Sequence, residues 1–167
     1  METTVRFTYK PFAACVGLCL TLDKKCFPQE MWLSKQEIDA LLKEESWATV
    51  VTYNNTDIGL AITISEPHAA VILDGIDDQY TPHENGAYAY SEAIDPQYQK
   101  HGIGRLLLKE TERFAAQKGF TVLTAHVRTI NGWDKARNDT LHVVESRPVK
   151  DFWQDPREQV RYQKALI

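Results

Sequence analysis

At 167 residues the chain has the length of one domain and is long enough to enclose a hydrophobic core. With 43% hydrophobic and 25% charged residues it is composed like a soluble globular protein, and a net charge of −4 gives no general attraction to nucleic acid or anionic membrane. No apolar run reaches the roughly 18 residues of a membrane span, and Cys15, Cys19 and Cys26, an odd number without C-x-x-C spacing, suit free thiols in a reducing, cytoplasmic setting.

Thr3 to Tyr9 alternates and predicts a first strand. Phe12, Val16 and Leu20, broadened by Cys19 and Leu22, predict a helix from Phe12 to Phe27 that Pro28 stops. Ser34 and Glu37 form a capping-box pattern before a second helix that buries Ile38, Leu41 and Leu42. Trp47 to Tyr53, Asn54-Asn55 and Ile58 to Ile64 read as a hairpin. Pro67 to Leu73 is expected to add a strand or line a loop, and Asp74 to Gly86 is polar and turn-rich. Later, Gly132 to Asn138 reads as helix, and Leu141 to Glu145 and Gln159 to Leu166 as strands, with Asp155-Pro156 turning the chain between them.

The middle of the chain, Ala87 to Asn131, carries the chemistry. An alternating run ends at Ile94, before Asp95-Pro96. Gln99, Lys100, His101, Gly102, Ile103 and Gly104 then open onto an amphipathic helix ending at Lys118-Gly119, and Thr121 to Val127 follows as a strand. Two glycines at a helix start permit close backbone approach, and the first-turn N–H groups with the helix dipole favour a phosphate. Lys100, His101 and Arg105 add chargeable groups there, although glycines making only a tight turn would look the same. A dinucleotide fingerprint is disfavoured, because Leu107 stands where a third glycine is needed.

Gln99-x-x-Gly102-x-Gly104, after a strand ending near Pro96 and before helix and strand, resembles the acetyl-CoA site of the GCN5-related N-acetyltransferases. The resemblance implies a mixed α/β fold of one domain, a twisted sheet whose middle strands splay, flanked by helices. It implies acetyl-CoA as cofactor, with Gln99, Lys100, His101, Gly102, Ile103, Gly104 and Arg105 at its pyrophosphate. Ile94 and its strand would align the pantetheine amides, and Asn131 would hold the arm or cap the next helix. Cys26-Phe27-Pro28 and Met31 to Ser34 look like the front of members that acetylate protein N-termini.

A protonated amine of pKa about 10 cannot attack a thioester, so a base is wanted. Glu92, a carboxylate in a strand suited to burial, is the expected base, with a salt-bridged structural role as its alternative and Glu84 or His83 as substitutes. Period two would put Tyr90, Glu92 and Ile94 on one face. The family's usual thiolate-protonating tyrosine falls at Asn138, leaving Tyr98, Tyr90 or Trp133 as substitutes. Phe152, Trp153 and Tyr162 line an acceptor pocket or fill the core, and the five histidines, 68, 83, 101, 126 and 142, have no metal-ligand spacing. The expected activity is direct acetyl transfer to a primary amine. A small amine or polyamine comes ahead of a peptide because Asp74, Asp77, Asp78 and Glu84 would rim the mouth. A protein N-terminal acetyltransferase and a non-catalytic acyl-CoA sensor are the alternatives, and a homodimer is left open.

Overall fold

The alternating runs become seven strands: β1 (Val5–Pro11), β2 (Ser46–Tyr53), β3 (Thr56–Ser65), β4 (Gly86–Ile94), β5 (Val122–Arg128), β6 (His142–Val149) and β7 (Val160–Leu166). The structure is a computed structural model that describes residues 4–153 and 159–167, so the expected turn at Asp155-Pro156 lies outside the described residues. The strands form one sheet in the order β1-β2-β3-β4-β5-β7-β6. Neighbours are antiparallel except β4 and β5, which run parallel. Asn54 and Asn55, with φ of 47° and 63°, make the tight turn between β2 and β3, where two left-handed residues match the twist of a hairpin.

Helices cover both faces. On one side α1 (Val16–Cys26), α2 (Lys35–Leu41) and α3 (Glu66–Ile72) pack Leu22, Leu41 and Ala69 against Val50, Ile62 and Tyr88. On the other, α4 (Ile103–Gln117) and α5 (Trp133–Thr140) meet the sheet through Leu107, Leu108 and Trp133. The capping box at Ser34 is present in full. Phe12–Ala14 forms a separate tight turn ahead of α1 instead of its first turn. Pro67 to Leu73, expected as strand or loop, is helical. Ser65 caps it by accepting from His68 N, and Pro67 sits in the first turn, where its missing N–H has no cost.

Two features of β4 position everything that follows. It pairs with β5 over Gly86–Tyr88 and Val122–Thr124, after which β5 continues along β7 and the two central strands part. Its pairing with β3 also slips, from Ile62 opposite Ser91 to Thr63 opposite Ala89, so Tyr90 is an extra, bulged residue. The bulge corrects the expected alternation. Tyr90 packs on the α1–α2 side, whereas Glu92 and Ile94 face α5 and α4.

The paired end of β4 and β5 is held by Glu66, which is fully buried and accepts from Tyr80 Oη at 2.9 Å, Thr124 Oγ1 at 2.8 Å and His83 N at 3.0 Å. Gly86 leaves the room for it, since an added Cβ would stand 1.8 Å from Glu66 Oε2. Gly86→Ala should therefore destabilise the protein by roughly 1–3 kcal/mol, read as a lower urea midpoint at unchanged slope.

Candidate active site

Where β4 and β5 part, two clefts open and meet. The first is lined by Ile94, Gln99, Lys100, Gly102, Gly104 and Arg105; the second lies toward α1, α2 and β5. Phe27, Glu92, Asn131 and Trp133 line both and mark the junction.

The first cleft is built by the turn into α4. Lys100 and Gly102 both take left-handed backbone conformations, with φ of 65° and 81°. Nothing stands within 4 Å of where a Gly102 Cβ would be, so that approach is open. Gln99 Nε2 donates back to Ile94 O at 2.8 Å and ties the turn to the end of β4. The N–H groups at the start of the 15-residue α4 have no helical acceptor, and Lys100 and Arg105 stand beside them. Donors, dipole and cations together suit a diphosphate, so the residues present fit the pyrophosphate end of a coenzyme A thioester.

Not every expected residue takes part through its side chain. Ile103 is buried against Ile94 and Leu107, and His101 is exposed and outside the lining. Gly104 lines the cleft, but a Cβ there would first meet the Trp133 ring at 2.8 Å. A larger residue at 104 thus acts through Trp133 before it obstructs a ligand. Asn131 accepts from Trp133 N at 3.1 Å, starting α5, and also lines both clefts.

Glu92 stands at the junction, but its carboxylate is engaged. Oε1 accepts from Arg137 Nη1 at 2.7 Å and Oε2 from Trp133 Nε1 at 2.6 Å. Arg137 is completely buried, and among the described residues its Nε and Nη2 have no partner, so it depends on Glu92 for its counter-charge. This geometry is that of the salt-bridged alternative: Glu92 pairs with Arg137 and bonds Trp133. Asn138, at the usual tyrosine position, is exposed and lines neither cleft; of the substitutes, Tyr98 packs on Tyr53, Tyr90 donates to Glu37 at 3.0 Å, and Trp133 Nε1 donates to Glu92.

Tyr88 and His126 line the second cleft and begin a chain of hydrogen bonds that runs into the interior. Tyr88 Oη lies 2.8 Å from His126 Nδ1, and His126 Nε2 lies 2.8 Å from Asp77 Oδ2. Arg147 grips both Asp77 oxygens, at 3.2 and 2.7 Å. Although desolvation opposes it, these hydrogen bonds hold the Asp77 carboxyl below its ordinary value. An ionised Asp77 only accepts, so Nε2 carries the imidazole proton and Nδ1 accepts from Tyr88. Burial lowers the His126 pKa and raises that of Tyr88. Asp77 is therefore an interior, cation-paired group and no part of an acidic rim; of the loop after Leu73, Ile76 lines the cleft. Phe152 and Trp153 do line it, while Tyr162 is buried in the core.

The remaining acids of this cleft are Asp23 and Glu37. Asp23 shares the apolar stripe of α1 with Cys19, Leu22 and Cys26, a carboxylate at a core position, which was a legible signal. Among the described residues no three His, Cys, Asp or Glu side chains gather as a metal ion would need, and no helix is long and apolar enough to cross a membrane.

A splayed parallel pair with a phosphate-type turn beside the gap defines a fold that comparison places. Residues 18–133, well over half of the chain, match the model of the acetyltransferase (GNAT) family. The chain belongs to that family, whose members take acetyl-CoA as acyl donor, and it is an acetyltransferase. Its fold is similar to the ribosomal-protein-S18-alanine N-acetyltransferase of Escherichia coli, at 19% identity over 97% of this chain and 94% of that one, with a TM-score of 0.65. It is also similar to an N-acetyltransferase of Staphylococcus aureus Mu50, at 14% identity, 98% of each chain and a TM-score of 0.62. A third is the ribosomal-protein-alanine N-acetyltransferase of Brucella melitensis, at 15% identity over 97% of this chain and 99% of that one, with a TM-score of 0.63. No curated protein sequence matches the chain significantly.

Because Arg137 has Glu92 as its counter-ion, Glu92→Gln should cost about 3–5 kcal/mol of stability, visible in denaturant unfolding. A change confined to turnover, with stability intact, would return the base role to Glu92.

Proposed function

We propose that the protein moves an acetyl group from acetyl-CoA to the α-amino group of a peptide or protein N-terminus, directly, with both substrates bound. The observation that carries this reading is the meeting of the two clefts at Glu92 and Trp133, with the Tyr88–His126–Asp77 chain in the acceptor arm. Acetyl-CoA, when bound, supplies an activated acyl thioester. Gln99, Lys100, Gly102 and Arg105, with the main chain of His101, Ile103 and Gly104, would hold its pyrophosphate, and Asn131 and Ile94 the pantetheine side. Main-chain groups of β4 beyond Tyr88, on the edge that β5 has left, are available to orient the acyl group.

The acceptor amine must lose a proton. Tyr88 Oη takes it while passing its own proton to His126 Nδ1, and Asp77 stabilises the imidazolium that results. An imidazole with a lowered pKa is closer to an α-amino group, near 7.7–8.0, than to a lysine-type amine, near 10.4. The apolar wall of Phe27, Met31, Leu33 and Phe152 suits a first side chain. A small amine or polyamine is the second reading; the acids Asp23 and Glu37 in the cleft are the observation on its side.

The test is thiol release from acetyl-CoA with a short peptide bearing a free N-terminus, its N-acetylated form, and spermidine. Release with the free peptide alone is expected; faster turnover of spermidine would favour the second reading, and no acceptor-dependent release would overturn both. Tyr88→Phe and His126→Gln should each lower kcat roughly 10²–10⁴-fold. Since the neutral imidazole is the active form, wild-type rates should rise with pH through a midpoint below the ordinary histidine value of about 6.5.

A further inference from the structure

Asp23 is an acid of the acceptor cleft that this proton route does not use. The residue is 3% exposed, and Leu33 N donates to its Oδ2 at 2.8 Å. Among the described residues Oδ1 has no hydrogen-bond partner, and no lysine, arginine or histidine forms an ion pair with the carboxylate. Asp23 lines the cleft one helical turn before Phe27, which borders both clefts at their junction. The groups around it are Glu37 on α2, already bonded to Tyr90 and Ser34 N, Cys19 and Cys26 on its own helix, and Arg128 across the cleft, set over the Phe27 ring at 5.6 Å.

A carboxylate so enclosed, with one of its two oxygens left without a hydrogen bond among the described residues, is costly unless a ligand completes it. Burial pushes its pKa up to about 6, against the lowering effect of the Leu33 bond and with a small push from Glu37. It is thus ionised at neutral pH and neutral in mild acid.

We infer that Asp23 determines acceptor specificity, its open Oδ1 receiving the acceptor's ammonium group before the proton leaves through Tyr88 and His126. This rests on the reading of the second cleft as the acceptor site. Binding of the cation and removal of its proton are then separate tasks of opposite walls, α1 for the first and β4 with β5 for the second.

Asp23→Asn tests it, because the amide oxygen can still accept from Leu33 N while the charge is gone. Calorimetry with trialanine, on protein saturated with CoA so that no acetyl is transferred, should show peptide affinity about tenfold weaker in the variant. CoA affinity should be unchanged. Wild-type affinity for trialanine should fall as pH drops through about 6, a dependence the variant lacks. N-acetyl-trialanine should bind both proteins equally weakly. In steady state the acceptor KM should rise more than kcat falls.

Stability separates this from a structural role. A carboxyl whose folded pKa is raised loses stability as pH rises from its unfolded value toward about 6. The Asn variant should therefore melt at or above the wild-type temperature at pH 7.5, whereas a purely structural Asp23 would give a lower melting temperature with peptide affinity intact. Equal trialanine affinity in the two proteins overturns the inference. If wild type acetylates no amine, the proposed function fails, and the CoA-complex measurement still decides whether Asp23 binds an ammonium.

Discussion

The structure depends on where β4 and β5 stop pairing. Parallel strands in a sheet ordinarily bond along their length, but here the ladder lasts from Gly86 to Tyr88 and ends. Two causes act together. Antiparallel pairing with β7 draws β5 away along its whole length, and the extra residue at Tyr90 adds twist to β4 just beyond the last shared bonds. Glu66 fixes the closed end by bonding to Tyr80, to His83 and to Thr124 of β5. One end is pinned and the other spread, so a sheet that would have been a continuous core layer becomes the wall of two joined clefts.

The bulge also distributes chemistry between the faces. Without it, Tyr90 and Glu92 would point the same way. With it, Tyr90 goes to Glu37 and the second cleft, and Glu92 goes to α5. There the Glu92–Arg137 pair costs desolvation of two charges and is sustained because Trp133 supplies a second hydrogen bond. Trp133 in turn needs Gly104, whose missing Cβ leaves space for the ring. Gly104 is thus tied, through a tryptophan and an ion pair, to the strand at the junction of the two clefts.

Much of this was legible in the chain. The central strand, the turn at Gly102, the helix after it and the hairpin at Asn54-Asn55 are local, and each rests on residues whose conformational preferences act within a few positions. The lining of the first cleft followed, because main-chain donors at a helix start need no distant partner. The chain was less legible where a distant partner decides. Glu92 could be read as a base or as half of an ion pair, and its partner Arg137 lies 45 positions on. Asp77 resembled a surface charge until Arg147 and His126 enclosed it. Pro67 to Leu73 hid its helix because a short amphipathic run is ambiguous in period, and the Ser65 cap was the overlooked sign.

The sequence by itself determined the class of fold and the turn that lines the first cleft, because periodicity, capping and glycine placement are short-range properties that survive in any tertiary setting. It also carried the family, through a motif whose function lies in its backbone. The second cleft was decided by the tertiary structure alone. Asp23, Tyr88, His126 and Asp77 come from α1, β4, β5 and the loop after α3, and nothing in their spacing along the chain brings them together. Their protonation states are set by burial and by one another, and those quantities do not exist until the sheet has formed and opened.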